Sequence, residues 1–152
     1  PRILPMGGWL RKTKINELPQ LINIFKGDMS IIGPRPQTQR CFDAFPKSSQ
    51  NDIILVRPGL SGIGSVVFRS EERMMHENEE ADRLYDDVIM PYKGELECWY
   101  VKNKSVWNYF LLIALTIIII FTQSTRIIFY CFSKLPRPPK KLKCYISSDY
   151  YE

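Results

Sequence analysis

From Tyr109 to Phe121 the chain runs for thirteen residues without a charged side chain, and the block that follows is strongly basic. A helix that is apolar over most of its surface must be hidden in a protein core or in lipid. As a helix rising about 1.5 Å per residue the run spans roughly 20 Å, short of the roughly 30 Å hydrocarbon layer of a bilayer. Carrying it on to Phe132 would reach across, but would draw in Gln123, Ser124 and Arg126. The pattern predicts a membrane-associated helix over 106–132, embedded or interfacial, followed by a basic tail over 133–152 that meets anionic head groups. Burial in a protein core is the competing reading.

Charge is segregated along the rest of the chain. The net charge of +5 over 152 residues hides an acidic stretch, with ten of the sixteen Asp and Glu in residues 71–97, and a basic one, with six Lys or Arg and no acid in residues 123–148. A basic balance suits nucleic acid, anionic lipid or a phosphorylated substrate. Because the basic block directly follows the apolar run, a membrane surface is favoured. No surface interleaves aromatic with basic residues as a nucleic-acid binder requires, so nucleic acid is excluded as a partner. Cys41, Cys98, Cys131 and Cys144 are scattered, with no Cys-x-x-Cys pair and a single histidine, His76, in the chain. That argues against a Cys/His metal site and for a reducing, cytoplasmic face. The sequence opens at Pro1 rather than Met and carries no signal peptide, so an N-terminally truncated chain is the expectation.

The predicted class is α+β, a mostly helical small domain with short strands or a hairpin over residues 1–105. Leu18, Leu21, Ile22 and Phe25 fall at helical spacing, Asn16 suits an N-cap, Pro19 sits in the first turn, and Gly27 is placed to end the helix. Residues 34–62 read as loop with a short strand near Ile53 to Val56, and Gly64 to Arg69 as a second strand. A charged helix is predicted over 70–88, a second from Pro91 to about Asn103, and Ser105 as the cap of the apolar helix. Pro136, Pro138 and Pro139 mark a flexible tail.

Candidate chemistry gathers at the first helix. Arg11, Lys12 and Lys14 lie just upstream of a helix start, where unsatisfied amides and the helix dipole favour an anion. Glu17 beside that anion makes sense if Mg²⁺ bridges the two, since Mg²⁺ commonly binds through one or two carboxylates plus substrate phosphates. The competing reading is a solvated cationic face, with Glu17 complementing the dipole. In Gly33-Pro34-Arg35-Pro36 two prolines bracket Arg35 and fix its backbone, as suits a phosphate clamp. Arg57-Pro58-Gly59-Leu60-Ser61-Gly62-Ile63-Gly64 supplies three glycines whose amides can approach a ligand, with Arg57 as a further cation.

Together these segments resemble the bacterial sugar transferase family, the monotopic polyprenyl-phosphate phosphoglycosyl transferases. The family pattern usually reads Arg-Lys-Thr-x-x-Asp-Glu-Leu-Pro-Gln, then Gly-Asp-Met-Ser, then Gly-Pro-Arg-Pro. Here the chain has Arg11-Lys12-Thr13-Lys14-Ile15-Asn16-Glu17-Leu18-Pro19-Gln20, Gly27-Asp28-Met29-Ser30 and Gly33-Pro34-Arg35-Pro36. The Pro58-Gly59-Leu60-Ser61-Gly62 segment and the Tyr100-x-x-Asn103-x-Ser105 run also match, so the resemblance covers roughly residues 8–120.

The resemblance implies transfer of a phosphosugar from a nucleotide diphosphate sugar, usually a UDP-sugar, to polyprenyl phosphate. The expected place is the cytoplasmic face of the bacterial inner membrane, at the start of surface glycan synthesis such as exopolysaccharide, lipopolysaccharide or capsule. In the family the Asp of the Asp-Glu pair attacks the β-phosphate and the Glu takes part in Mg²⁺ binding. By carry-over Glu17 has the metal role, and Arg11, Lys12, Arg35 and Arg57 the phosphate roles. The nucleophile's place is taken by Asn16, whose neutral amide is a poor nucleophile. Three consequences follow: attack by Glu17, direct attack by the lipid phosphate, or an inactive, membrane-peripheral scaffold or binding subunit. The family's upstream re-entrant membrane helix is expected to lie before Pro1.

Overall fold

The computed structural model describes residues 18–69, 81–122 and 124–142. The helix α1 spans Leu18–Lys26, followed by strand β1 at Ser30–Ile32. Gly27 ends α1 as the spacing predicts: it takes φ 85°, and its N–H bonds the Ile24 carbonyl oxygen at 3.0 Å. Two short helices, α2 at Gln39–Asp43 and α3 at Lys47–Ile53, lead to strand β2 at Gly59–Ser61 and helix α4 at Ile63–Val67. Helix α5 (Ala81–Leu84) passes through a π-helical turn, Tyr85–Ile89, into α6 (Met90–Lys102), and α7 (Val106–Thr122) and α8 (Arg126–Cys131) follow.

The α+β class holds: among the described residues helices dominate and β1 and β2 form a two-stranded sheet. The strands pair in parallel, Ser30 opposite Gly59 and Ile32 opposite Ser61. Their connection is therefore a crossover through α2 and α3, not a hairpin.

Neither predicted strand forms; both segments are taken up by helix and turn. Ile53 to Val56 closes α3 in a turn, with Ile54 and Leu55 exposed. Pro46 starts that helix, and the Gln50 side-chain amide donates to the Phe45 carbonyl at 2.8 Å, so local capture of backbone acceptors outweighs the β-branched pair. Within the Gly64 to Arg69 segment, residues 64–67 belong to α4. Ile63, Val66 and Val67 are buried at i, i+3 and i+4, which is one face of a helix. The predicted helix over 70–88 is seen as α5 and the π turn, its residues 70–80 lying outside the described ones. Pro91 falls in the first turn of α6, but it does not open a separate helix: Ile89 and Met90 are already helical, so the chain runs on from the π turn without a break.

The core lies between α4, α6 and α7. From α6 come Tyr92, Leu96 and Tyr100, and from α7 Leu112, Leu115 and Ile119, all at most 2% exposed. α3 is tied to α6 by Asp52, whose Oδ2 accepts from the Cys98 thiol at 2.9 Å and lies 3.0 Å from Lys102 Nζ. Those two partners hold the Asp52 carboxyl below its ordinary pKa, while burial pushes the Cys98 thiol up.

Ser105 caps α7, its Oγ accepting from Asn108 N at 3.1 Å. The apolar run is not one helix to Phe132. It breaks after Thr122, and α8 turns Ile128 back into the core. Only one stripe of α7 is buried; Trp107, Phe110, Ile117, Ile120 and Phe121 on its other side are at least half exposed. Among the described residues no helix is long and apolar enough to cross a membrane. The basic tail also differs from expectation. Leu135 and Leu142 are buried, and the Tyr92 hydroxyl donates to the Pro136 carbonyl at 2.7 Å, so residues up to Leu142 pack on the core rather than trail from it. Apolar side chains spaced between the prolines and lysines are what anchor them.

Candidate functional site

The parallel strands bring two of the sequence motifs together. Ser30 N–H donates to the Pro58 carbonyl, Gly33 N–H to Ser61, and Gly59 N–H to Pro34, each at 2.9 Å. The backbones approach so closely that a Cβ on Gly33 would lie 2.8 Å from the Arg57 carbonyl oxygen, and one on Gly59 2.5 Å from the Gly33 oxygen. The glycines of Gly33-Pro34-Arg35-Pro36 and of the Pro58–Gly62 segment are thus required by each other. This is close backbone packing, and it leaves the Gly33 and Gly59 amides bonded across the strand pair rather than offered to a ligand.

A cavity of about 370 Å³ opens beside β1. Ser30 to Pro34 form one wall; Ile24, Met29 and Val56 add apolar surface; Arg57, Lys104, Tyr100 and Tyr109 bring the polar groups. Arg57 is exposed, and its Nη1 donates to the Gly27 carbonyl at 3.1 Å, which holds the guanidinium between the end of α1 and the start of β2. Arg35 is half-buried and is not part of the cavity wall. Tyr100 is 2% exposed, and its hydroxyl has no partner among the described residues. Burial above all, then the nearby Tyr109 and Glu97, pushes its pKa up to about 12, so it stays a neutral donor.

Of the sequence-predicted residues, Arg57 lies at the cavity and Arg35 next to its Pro34 wall. Arg11, Lys12, Asn16 and Glu17 lie outside the described residues. Among the described residues no group of three His, Cys, Asp or Glu is placed to hold a metal ion. A Mg²⁺ bound through one carboxylate and substrate oxygens requires no such group. Tyr100, Lys104 and Tyr109 were not singled out by sequence reasoning. Two of them sit in or beside the Tyr-x-x-Asn-x-Ser run, and the signal was two tyrosines flanking a cation at a helix end. Two cations, two phenols and an apolar wall suit an anionic ligand with an apolar portion.

The sequence profile of the bacterial sugar transferase family matches residues 1–123. The chain belongs to this family. Among its sugar transferase relatives is the undecaprenyl-phosphate galactose phosphotransferase of Salmonella typhimurium, 33% identical over 108 residues, which are 71% of this chain and 19% of that protein. A UDP-N-acetylgalactosamine-undecaprenyl-phosphate N-acetylgalactosaminephosphotransferase of Aeromonas hydrophila is 37% identical over 123 residues, 80% of this chain and 26% of that protein. An uncharacterized sugar transferase of Haemophilus influenzae is 36% identical over 110 residues, again 71% of this chain and 19% of that protein. The chain therefore spans about a fifth to a quarter of the length of the curated relatives it matches. As a sugar transferase segment, it places the family's Gly-Pro-Arg-Pro and Pro-Gly-Leu-Ser-Gly motifs at one strand pair beside one cavity.

Proposed function

We propose that this chain forms part of an enzyme that transfers a phosphosugar from a UDP-sugar to polyprenyl phosphate at the cytoplasmic face of the bacterial inner membrane. The observation that carries the reading is the convergence of Arg57 and Lys104 on a partly apolar cavity walled by the Gly33-Pro34 turn. Family membership and the activities for which the Salmonella and Aeromonas relatives are named support it. In this reading Arg57 and Lys104 offset phosphate charge, Arg11, Lys12 and Arg35 add to that field, and Glu17 would hold Mg²⁺. Bound Mg²⁺ supplies charge neutralisation on the diphosphate oxygens.

Asn16 in place of the family's usual Asp favours direct displacement. An oxygen of polyprenyl phosphate attacks the sugar-bearing phosphorus, the bond from that phosphorus to the bridging oxygen breaks, and UMP leaves with the electron pair. The same residue supports a second reading, an inactive membrane-peripheral subunit that binds the ligands without turning them over. Asn16→Asp separates the two: a gain of activity with a trappable phosphosugar adduct marks a lesion in a competent site.

The outer face of α7 supports docking on lipid. Trp107, Phe110 and Phe121 stand exposed, and Arg126, Lys134, Arg137, Lys140 and Lys141 follow in sequence. An apolar helix face followed by cations fits the boundary of an anionic leaflet.

Arg57→Ala tests the phosphate role. Loss of an exposed cation from a phosphate contact is expected to lower kcat/KM for the UDP-sugar by about 10- to 100-fold, about 1.4–2.7 kcal/mol. Steady-state kinetics at constant ionic strength reads this out. Unchanged kinetics would leave Arg57 as a tether for the Gly27 turn alone.

A further inference from the structure

Glu97 is the most deeply buried acidic side chain described, 2% exposed on the inner face of α6. Its Oε1 accepts a hydrogen bond from the Gly64 amide at 3.2 Å, and its Oε2 is buried with no partner among the described residues. Gly64 lies in the first turn of α4, whose amides have no acceptor within the helix. The N-cap of α4 is Gly62, which has no side chain to supply one. A carboxyl reaching over from another helix does what a Ser or Asp cap does elsewhere.

The contact is close enough to dictate sequence. A Cβ on Gly64 would lie 2.7 Å from Glu97 Oε1 and 2.9 Å from Lys93 Cγ. A Cβ on Gly62 would lie 3.0 and 3.2 Å from the two Glu97 oxygens and would collide with the Gly33 carbonyl oxygen. The Gly62–Gly64 turn is therefore sandwiched between the Glu97 carboxyl and the Gly33 backbone. On its far side Gly33 and Pro34 form the cavity wall, held by the bonds Gly33 N to Ser61 O and Gly59 N to Pro34 O.

Burying a carboxyl with one of its oxygens unpartnered is unfavourable, and an apolar side chain of similar size would fill the same space more cheaply. What the carboxyl gives that Leu or Met cannot is a directional acceptor for one particular amide. We propose that Glu97 is a positioning residue for the transfer reaction: its carboxyl clamps the Gly62–Gly64 turn against Gly33 and so fixes the Gly33-Pro34 wall on which the substrate phosphates are aligned. This rests on the phosphate-binding reading of the cavity given above.

Among the described residues, Lys93 and Tyr100 are the ionisable groups about one turn from Glu97 on its own face of the helix. On α6 itself, Lys93 lies one turn earlier, 5% exposed with its Nζ 6.0 Å from the centre of the Phe68 ring, and Tyr100 lies one turn later. From the opposing side the Gly62–Gly64 turn contributes no titratable side chain. Burial raises the Glu97 carboxyl to about 8, against the smaller lowering effects of Lys93 and the Gly64 amide. The acid is thus mostly protonated at neutral pH, with one oxygen still accepting from Gly64.

The test compares Glu97→Gln, Glu97→Asp and Glu97→Ala in the full chain by hydrogen exchange and, separately, by transfer kinetics. Gln keeps the acceptor, so amide protection over 30–35 and 59–64 is expected to match the parent, with kcat/KM within about threefold. Ala removes the acceptor, and exchange over both segments is expected to speed up at least tenfold, with KM for UDP-sugar rising more than kcat falls. Asp retracts the carboxyl by one methylene and should fall between, which keeps the comparison informative if the Ala variant does not fold. Parent-like exchange over 30–35 in both Ala and Asp variants would overturn the proposal, as would a Gln variant as impaired as Ala. Exchange does not depend on turnover, so an inactive parent would count against the proposed function while leaving the clamp to be judged on protection alone.

Discussion

Gly59→Ala is expected to destabilise the fold by about 3 kcal/mol or more, the upper part of the range for forcing extra atoms into a packed interior. Its Cβ would meet the backbone of the neighbouring strand, 2.5 Å from the Gly33 oxygen and 2.6 Å from the Gly33 Cα. A flexible side chain could swing aside from such a contact; a strand backbone cannot move without breaking its bonds. Each strand is only three residues long, and the pair depends on a few hydrogen bonds flanking that point. Urea denaturation of the parent and the variant measures the difference. A loss below about 1 kcal/mol would mean that β1 and β2 separate easily, and the cavity wall would then not be a fixed element.

Stability is expected to fall as pH rises from 5 to 8, and Glu97→Gln to remove most of that slope. The Glu97 carboxyl titrates at about 8 in the fold against an ordinary 4.5. Between those values the folded chain keeps a proton that the unfolded chain has released. The stabilisation from the neutral buried acid is therefore fully present below about 4.5 and is lost as pH rises through about 8. The slope approaches about 1.4 kcal/mol per pH unit, and the total is a few kcal/mol. Denaturation curves at pH 5, 6, 7 and 8 for parent and Gln variant isolate the contribution by subtraction. Equal slopes in the two proteins would show that Glu97 ionises as readily in the fold as out of it.

Much of the helical framework was legible in the sequence because local chemistry fixed it. Gly27 ends α1 and Ser105 caps α7, each acting within a few residues of itself. The failures share a cause. Ile53 to Val56 and the residues after Gly64 are rich in β-branched and apolar side chains, which favours strand, but helix period, the Pro46 start and the Gln50 side-chain bond to the Phe45 carbonyl prevailed. The prolines after Lys134 signalled a loose tail, yet Leu135 and Leu142 found places in the core that only the tertiary fold provides.

The site divided in the same way. Arg57 was found through its motif, and it stands at the cavity. Glu97 was hidden among ten acidic residues between 71 and 97, where nothing nearby in sequence separates a buried carboxyl from its solvated neighbours. Its partner, Gly64, is 33 residues away. Tyr100 was quoted only as part of a motif, and its unpartnered hydroxyl emerges from burial rather than from spacing.

The fate of the β-phosphate tests the central claim most directly. The full-length protein in a lipid bilayer containing polyprenyl phosphate would be given UDP-sugars labelled at the β-phosphorus, with Mg²⁺ present. Phosphosugar transfer predicts that the label moves into the lipid fraction while unlabelled UMP appears in equal amount. Release of UDP carrying the label, with sugar alone on the lipid, would contradict the account, as would label that stays in the nucleotide sugar for every donor tried.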